Sequence, residues 1–283
     1  MGRPMKDDSL TRLEKLRFRM QVVEILRLLK SRYKYSELSR LTGLPATVLS
    51  RYILGHVLPS FERAVELWHI LKKVINIRNE IVERIKFDGN GFFDNTAIIY
   101  DPLVRTFVTT WIYEKLMGTR VNKVLTVAVD GVPLATTLSD KLGVPLVVAK
   151  KEKEIGVQDF WTVDLIRGSG HRETLYVPKH WLSKKDWVVI VDDVIRTGET
   201  QRALLELVEK VGAKLSGLFI LISVGDWQDK VDVPDGCPVE VLVTLKELGE
   251  ENPGRGRIEE RRMARRRPGR IRSVKASGRR NLD

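Results

Sequence analysis

The chain has 283 residues and a formal net charge of +12, with 43% hydrophobic and 30% charged residues. That length predicts two globular units plus extensions. The lone Cys237 excludes an internal disulfide and a cysteine-rich zinc site, no apolar run approaches a membrane span, and "MGRPMKDDSL" has no signal-peptide core, so a cytoplasmic protein is expected.

The charge is concentrated at the ends. Residues 1–60 hold 12 basic and 5 acidic side chains, residues 255–283 hold 12 and 3, and the middle is mildly acidic. Basic ends predict a polyanionic partner, nucleic acid before membrane.

Residues 12–30 place Leu13, Leu16, Met20, Val23, Leu26 and Leu29 at three- and four-residue intervals, which predicts an amphipathic helix with that face buried. Ser36 is read as the cap of a second helix running through Leu41, Gly43 as a tight turn and Pro45 as the opening of a third helix. After Pro59, Ser60 is read as the cap of a long helix reaching about residue 86. The stretch "SELSRLTGLPATVLSRYILGHVLPS" resembles the helix-turn-helix of the phage-repressor-like family. That resemblance implies a recognition helix presenting Ala46, Thr47, Ser50 and Arg51 to DNA, with Leu38, Leu41, Leu44, Val48 and Leu49 as a small core. A helical dimerisation bundle, with Arg51 an ordinary surface charge, is the alternative.

From residue 97 the pattern changes to short apolar runs separated by helical stretches. Strands are expected at 123–131, 144–151, 187–193 and 213–225, with helices at 102–117, 132–142 and 199–211, and the sheet ends near 239–248. Such alternation argues an α/β unit with a largely parallel sheet whose ligands bind at the carboxyl ends of the strands. In "VVIVDDVIRTGET" an apolar strand ends in Asp192 and Asp193 and is followed by a turn into a helix near Glu199. Paired carboxylates suit a vicinal diol, alone or through magnesium. The turn suits a phosphate, because Gly198 admits close backbone approach, Thr197 and Thr200 offer hydroxyls, and a helix N-terminus directs free N–H groups at an anion.

This segment resembles the 5-phosphoribosyl-1-pyrophosphate (PRPP) motif of the type I phosphoribosyltransferase family, and the resemblance covers roughly residues 95–245. It implies that Asp192 and Asp193 hold ribose hydroxyls and that Arg196, Thr197, Gly198, Glu199 and Thr200 hold the 5′-phosphate. It also implies that the backbone at Asp130 and Gly131, with Lys150 and Lys151 beyond the next strand, faces the diphosphate. A solvated charge pair is the alternative for the two lysines. The alternating segment "WTVDLIRGSGHRETLYVPK", around Gly168-Ser169-Gly170, reads as a β-hairpin flap and resembles that of the bacterial purine repressor and of xanthine phosphoribosyltransferase.

The expected architecture is therefore an all-α helix-turn-helix domain (1–75), a linker helix and connection (76–95), a type I phosphoribosyltransferase α/β domain (96–248) and a basic tail (249–283) that should not pack. The short connection ahead of the α/β unit leaves little sequence for a nucleobase hood, and this favours a sensor over an enzyme. The expected function is a homodimeric transcription regulator that binds promoter DNA and takes PRPP, with magnesium, as effector. An orotate or purine phosphoribosyltransferase with an accessory helical domain is the alternative. His56, His69, His171 and His180 show no metal-ligand spacing, and Trp161 is the tryptophan suspected of touching a ligand.

Overall fold

The computed structural model describes residues 10–87, 93–168, 170–234 and 236–245. The expectations for the first nine residues, the turn residue Ser169 and the tail 249–283 lie outside them. Among the described residues no helix is long and apolar enough to cross a membrane.

Helix α1 (Arg12–Lys30) opens with a capping box. The Thr11 hydroxyl accepts from the Glu14 N–H, and the Glu14 carboxylate accepts from the Thr11 N–H. Its expected apolar face divides: Val23, Leu26 and Leu29 are buried, while Leu13, Leu16 and Met20 are exposed. Two apolar stripes overlap on this helix, and the one turned inward is Phe18, Val22, Ile25 and Leu29. Helix α2 (Tyr35–Thr42) begins one residue before the expected Ser36 cap, and Glu37 accepts from the Lys34 N–H in its place. Gly43, at φ 72°, makes the turn to α3 (Ala46–Ile53). Of the small core expected here, Leu38 and Leu49 are buried and Leu41, Leu44 and Val48 are partly so.

Ser60 caps α4 (Phe61–Val74) through the Arg63 N–H, but the helix stops short of residue 86. Ile75 is extended, and Asn76 caps a new helix, α5 (Ile77–Arg84), by accepting from the Asn79 N–H. A two-stranded antiparallel pair, β1 (Lys86–Phe87) and β2 (Phe93–Asp94), and the short α6 (Thr96–Ile99) follow. Asp101 then caps α7 (Pro102–Leu116), with Pro102 in its first turn.

The remaining elements are β3 (Lys123–Val127), α8 (Val132–Leu142), β4 (Leu146–Ala149), β5 (Phe160–Ile166), β6 (Arg172–Pro178), β7 (Trp187–Ile195), α9 (Glu199–Val211), β8 (Lys214–Val224) and β9 (Val239–Leu245). Five strands form a parallel sheet in the order β4-β3-β7-β8-β9, and β5 and β6 form a separate antiparallel hairpin. Successive strand residues point to opposite faces. Val124, Val189, Val191 and Phe219 therefore pack towards α7 and α8, while Leu125, Val188, Ile190 and Ile220 pack towards α9 and the hairpin.

Helix α7 is buried on all sides, from Leu103 and Val104 through Phe107 and Val108 to Tyr113 and Leu116. The cause is its position between the sheet and the N-terminal helices, where an apolar stripe on one side only would leave the other against a packed neighbour. One apolar core runs from Phe18 in α1 through Trp68 and Phe107, whose ring centroids lie 4.7 Å apart, to Val243 in the last strand. Polar contacts reinforce it: Arg17 donates to the Leu142 carbonyl at the end of α8, Trp68 Nε1 donates to Glu114 at 2.7 Å, and Lys72 pairs with Glu114 at 2.8 Å.

Candidate functional site

Strand β7 carries Asp192 and Asp193 towards the carboxyl end of the sheet. The strand runs two residues further than the sequence suggests, because Val194 and Ile195 still pair with Ile222 and Ser223 of β8. Both carboxylates are buried, Asp192 at 3% and Asp193 at 8% exposure. Each has neutral donors aimed at it. Asp192 accepts from Gln201 Nε2 at 2.7 Å and from the Asp193 N–H at 3.0 Å, and Asp193 accepts from Asn95 Nδ2 at 2.6 Å.

Burial, followed by the neighbouring Asp193 charge, holds the Asp192 carboxyl well above the ordinary carboxylate range. Burial also raises Asp193; the Asp130 charge adds to this, while the Asn95 donor opposes it. The two carboxyls titrate as a pair. Burying two carboxyls side by side is costly, which makes the pair a candidate functional site.

Two glycines shape the site. A Cβ at Gly131 would lie 2.6 Å from Thr126 Oγ1 and 2.8 Å from Asp192 Oδ1, so only glycine lets the turn before α8 close against β7. Gly198 takes φ 76° as the residue before α9, and a Cβ there would lie 2.5 Å from the Lys230 carbonyl oxygen. These turns bring Asp130 and Gly131 on one side, and Arg196 to Thr200 on the other, to the same end of the sheet as the carboxylate pair. Arg196 and Thr197 are exposed, and the first N–H groups of α9 open beside them. Arg202 donates to the same Lys230 carbonyl at 2.6 Å.

Other expected residues are differently engaged. The Glu199 side chain accepts from the Gly168 N–H at 2.7 Å and pairs with Arg167 at 3.5 Å, joining the hairpin tip to the start of α9. Lys150 pairs with Glu154 at 3.1 Å and Lys151 with Glu173 at 3.0 Å. Trp161 is at the opposite end of the hairpin from that tip: its Nε1 donates to the Leu182 carbonyl and its ring lies under Lys179. Its indole N–H is thus committed to the backbone, and its neighbour across the hairpin, Val177, precedes Pro178 and follows Tyr176, which bridges Lys150.

The phosphoribosyl transferase domain family matches residues 99–246, more than half of the chain. The chain belongs to this family. A hypoxanthine/guanine phosphoribosyltransferase of Methanobacterium lacus is 34% identical over 132 residues, 47% of this chain and 67% of the relative. One from Methanococcus voltae is 30% identical over 189 residues, covering 62% of this chain and 93% of the relative. The adenine phosphoribosyltransferase structure from Rhodothermus marinus shares the fold, with a TM-score of 0.54 at 23% identity over 60% of this chain and 99% of that one.

These relatives overturn the expectation of a transcription regulator with promoter DNA as partner and PRPP as effector, and with it the ground for a dimer spaced to half-sites. Ala46, Thr47 and Arg51 are exposed on α3 and Ser50 is half-buried, which is what a short surface helix presents whatever its role. The connection ahead of the α/β unit is also less bare than expected: the long helix breaks at Ile75, and α5, β1, β2 and α6 fill that stretch and deliver Asn95 to Asp193.

Asn95, Gln201 and Thr126 were missed in the sequence. Gln201 had a signal: it lies on the inward face of α9 with Leu204 and Val208, where a polar residue needs a partner. Asn95 had none, since its contact spans 98 residues.

Proposed function

We propose that the chain is a purine phosphoribosyltransferase. The reaction joins a ring nitrogen of the purine to C1 of PRPP's ribose as the C1–oxygen bond to the diphosphate breaks. The electron pair leaves with the diphosphate, and the nitrogen's proton passes to solvent. The observation that carries this reading is the 30% identity to a hypoxanthine/guanine phosphoribosyltransferase over 93% of its length. The buried acid pair beside a helix N-terminus supports it.

In this reading Asp192 and Asp193 accept from the ribose 2′- and 3′-hydroxyls. The backbone N–H groups of residues 196–200 and the hydroxyls of Thr197 and Thr200 hold the 5′-phosphate. Glu199 contributes its N–H, its carboxylate being committed to the hairpin. The backbone at Asp130 and Gly131 lines the diphosphate side, and Lys150 and Lys151 supply positive charge near it. Transfer then depends on positioning and on stabilising charge that develops at C1 and on the leaving group.

Magnesium suits this donor set. Among the described residues no group of three His, Cys, Asp or Glu side chains could cage a metal alone. Carboxylate oxygens at Asp192 and Asp193 are the hard ligands a magnesium accepts alongside substrate oxygens and water. When bound it would neutralise diphosphate charge.

We assign the chemistry to residues 96–248 and a supporting role to the helices before them. The test is nucleotide formation from magnesium, PRPP and each of hypoxanthine, guanine, xanthine and adenine, with Asp192→Asn/Asp193→Asn as control. Turnover with one or more bases, lost in the double variant, is expected. No nucleotide from any of the four would sink the proposal.

A further inference from the structure

Asn95 lies outside the matched family domain of residues 99–246, yet it makes the shortest contact to the acid pair. Asparagine at a helix start ordinarily turns its side chain back onto its own first turn. Here that task falls to Asp94, whose carboxylate accepts from both the backbone N–H and the hydroxyl of Thr96 at 2.8 and 2.6 Å. The Asn95 carboxamide makes no local cap bond and reaches across to Asp193 Oδ2. Its NH₂ group can only donate, and the carboxylate oxygen it meets can only accept when ionised, so the bond orients both side chains and is strengthened by the Asp193 charge.

The segment carrying Asn95 is held from both sides. Arg32, in the turn after α1, and Arg84 of α5 converge on Asp101, six residues further on, at 2.7 and 3.2 Å, and both also pair with Glu80. Asp101 in turn caps α7 through the Leu103 N–H at 2.8 Å. A four-membered ion-pair cluster with a helix cap at its centre therefore ties the N-terminal helices to the strand-end segment.

We propose that Asn95 is a positioning residue of the site, which orients Asp193 so that the acid pair can receive a ribose diol. The proposal rests on the transferase reading for its ligand and deepens it by adding a residue from outside the family domain. Asp192 has a donor of its own, Gln201. Two carboxamides from opposite sides, one on α9 and one ahead of α6, thus set the two carboxylates separately.

The test separates a positioning role from a structural one by using sugar phosphates that differ by one hydroxyl. The full chain is titrated calorimetrically with ribose 5-phosphate and with 2-deoxyribose 5-phosphate, as wild type, Asn95→Ala and Asn95→Asp. Wild type is expected to favour the diol about tenfold. Asn95→Ala should hold the deoxy sugar within about twofold of wild type and lose most of the preference. Asn95→Asp, the same shape with a carboxylate facing a carboxylate, should lose all of it.

In steady-state assays the same variants should raise KM for PRPP and leave KM for the purine unchanged, whereas a loss of folded protein would lower kcat and move neither KM. A diol preference that survives in Asn95→Ala overturns the proposal, as does an Asn95→Asp variant indistinguishable from wild type. Wild type that shows the Asn95-dependent preference but forms no nucleotide would support this inference and refute the transferase reading. Wild type with no preference would refute the inference whatever the outcome of the activity assay.

Discussion

Asp192 is a buried acid whose ionisation the fold opposes. Its carboxyl is held above the ordinary range by burial, so the folded chain binds that proton more tightly than the unfolded chain does. The carboxyl's contribution to stability therefore falls as pH rises from the unfolded value through the folded one. Asp192→Asn should abolish nucleotide formation while raising the melting temperature near neutral pH, and the gap should narrow as the buffer approaches about pH 4, where the wild-type carboxyl is protonated. A variant that melts below wild type at neutral pH would show that the Gln201 contact outweighs the burial cost. Gly131 makes a sharper case of geometry: with only 2.6 and 2.8 Å available to a Cβ, Gly131→Ala must push the loop away from Asp192. The expected result is a KM for PRPP raised on the order of ten- to a hundredfold with a near-normal melting curve. Unchanged kinetics would mean that the loop has room to move.

Elements differ in how far their sequence declares them. Helices α8 and α9 run as expected and β7 and β8 to within two residues, because apolar runs and terminal glycines mark them, whereas β3 stops at Val127, four residues before the expected end at 131, where the chain turns into the loop ahead of α8. The acid pair and the α9 turn are legible too, since a strand exit, two acids and a glycine turn lie consecutively. Helix α1 misleads, because two overlapping apolar stripes fit the same spacing and only packing against α7 selects between them. The break at Ile75 and Asn76 is equally hidden, with no proline or glycine to announce it.

Lys141 of α8 belongs to this scale. Its ammonium donates to the Thr106 carbonyl and to Thr110 Oγ1, both at 2.9 Å, in the α7 interface, and burial brings it down to about 7 despite Glu24 nearby. The folded state releases the proton first, so stability should rise with pH from about 7 towards the ordinary lysine value of 10.5. Lys141→Met should be more stable than wild type at neutral pH, by up to a few kcal/mol, and the difference should vanish at alkaline pH. A pH-independent difference would place the ammonium in contact with water.

For the whole molecule, the decisive feature is that the core on the α7 side of the sheet runs without a break from Phe18 to Val243. A helical unit joined only by a linker could be removed without harm, whereas here its removal would bare α7 on the face opposite the sheet. A chain lacking residues 1–76 is expected to aggregate or to lose its cooperative melting transition, and to form no nucleotide. A soluble fragment with a sharp transition and full turnover would refute that dependence. Residues 10–75 are thus tied to the strand-end segment by what they press against and by the Arg32 bridge to Asp101.

Glu199 gives this molecule a built-in reporter. The residue whose backbone opens α9, in the turn proposed to hold the 5′-phosphate, holds the hairpin tip through the Gly168 amide. Turn and hairpin therefore share one mechanical linkage: any ligand that shifts the start of α9 must also tug or slacken a hydrogen bond outside the binding site. Exchange of the Gly168 amide proton with deuterium would follow occupancy at a distance, without a probe inside the site itself.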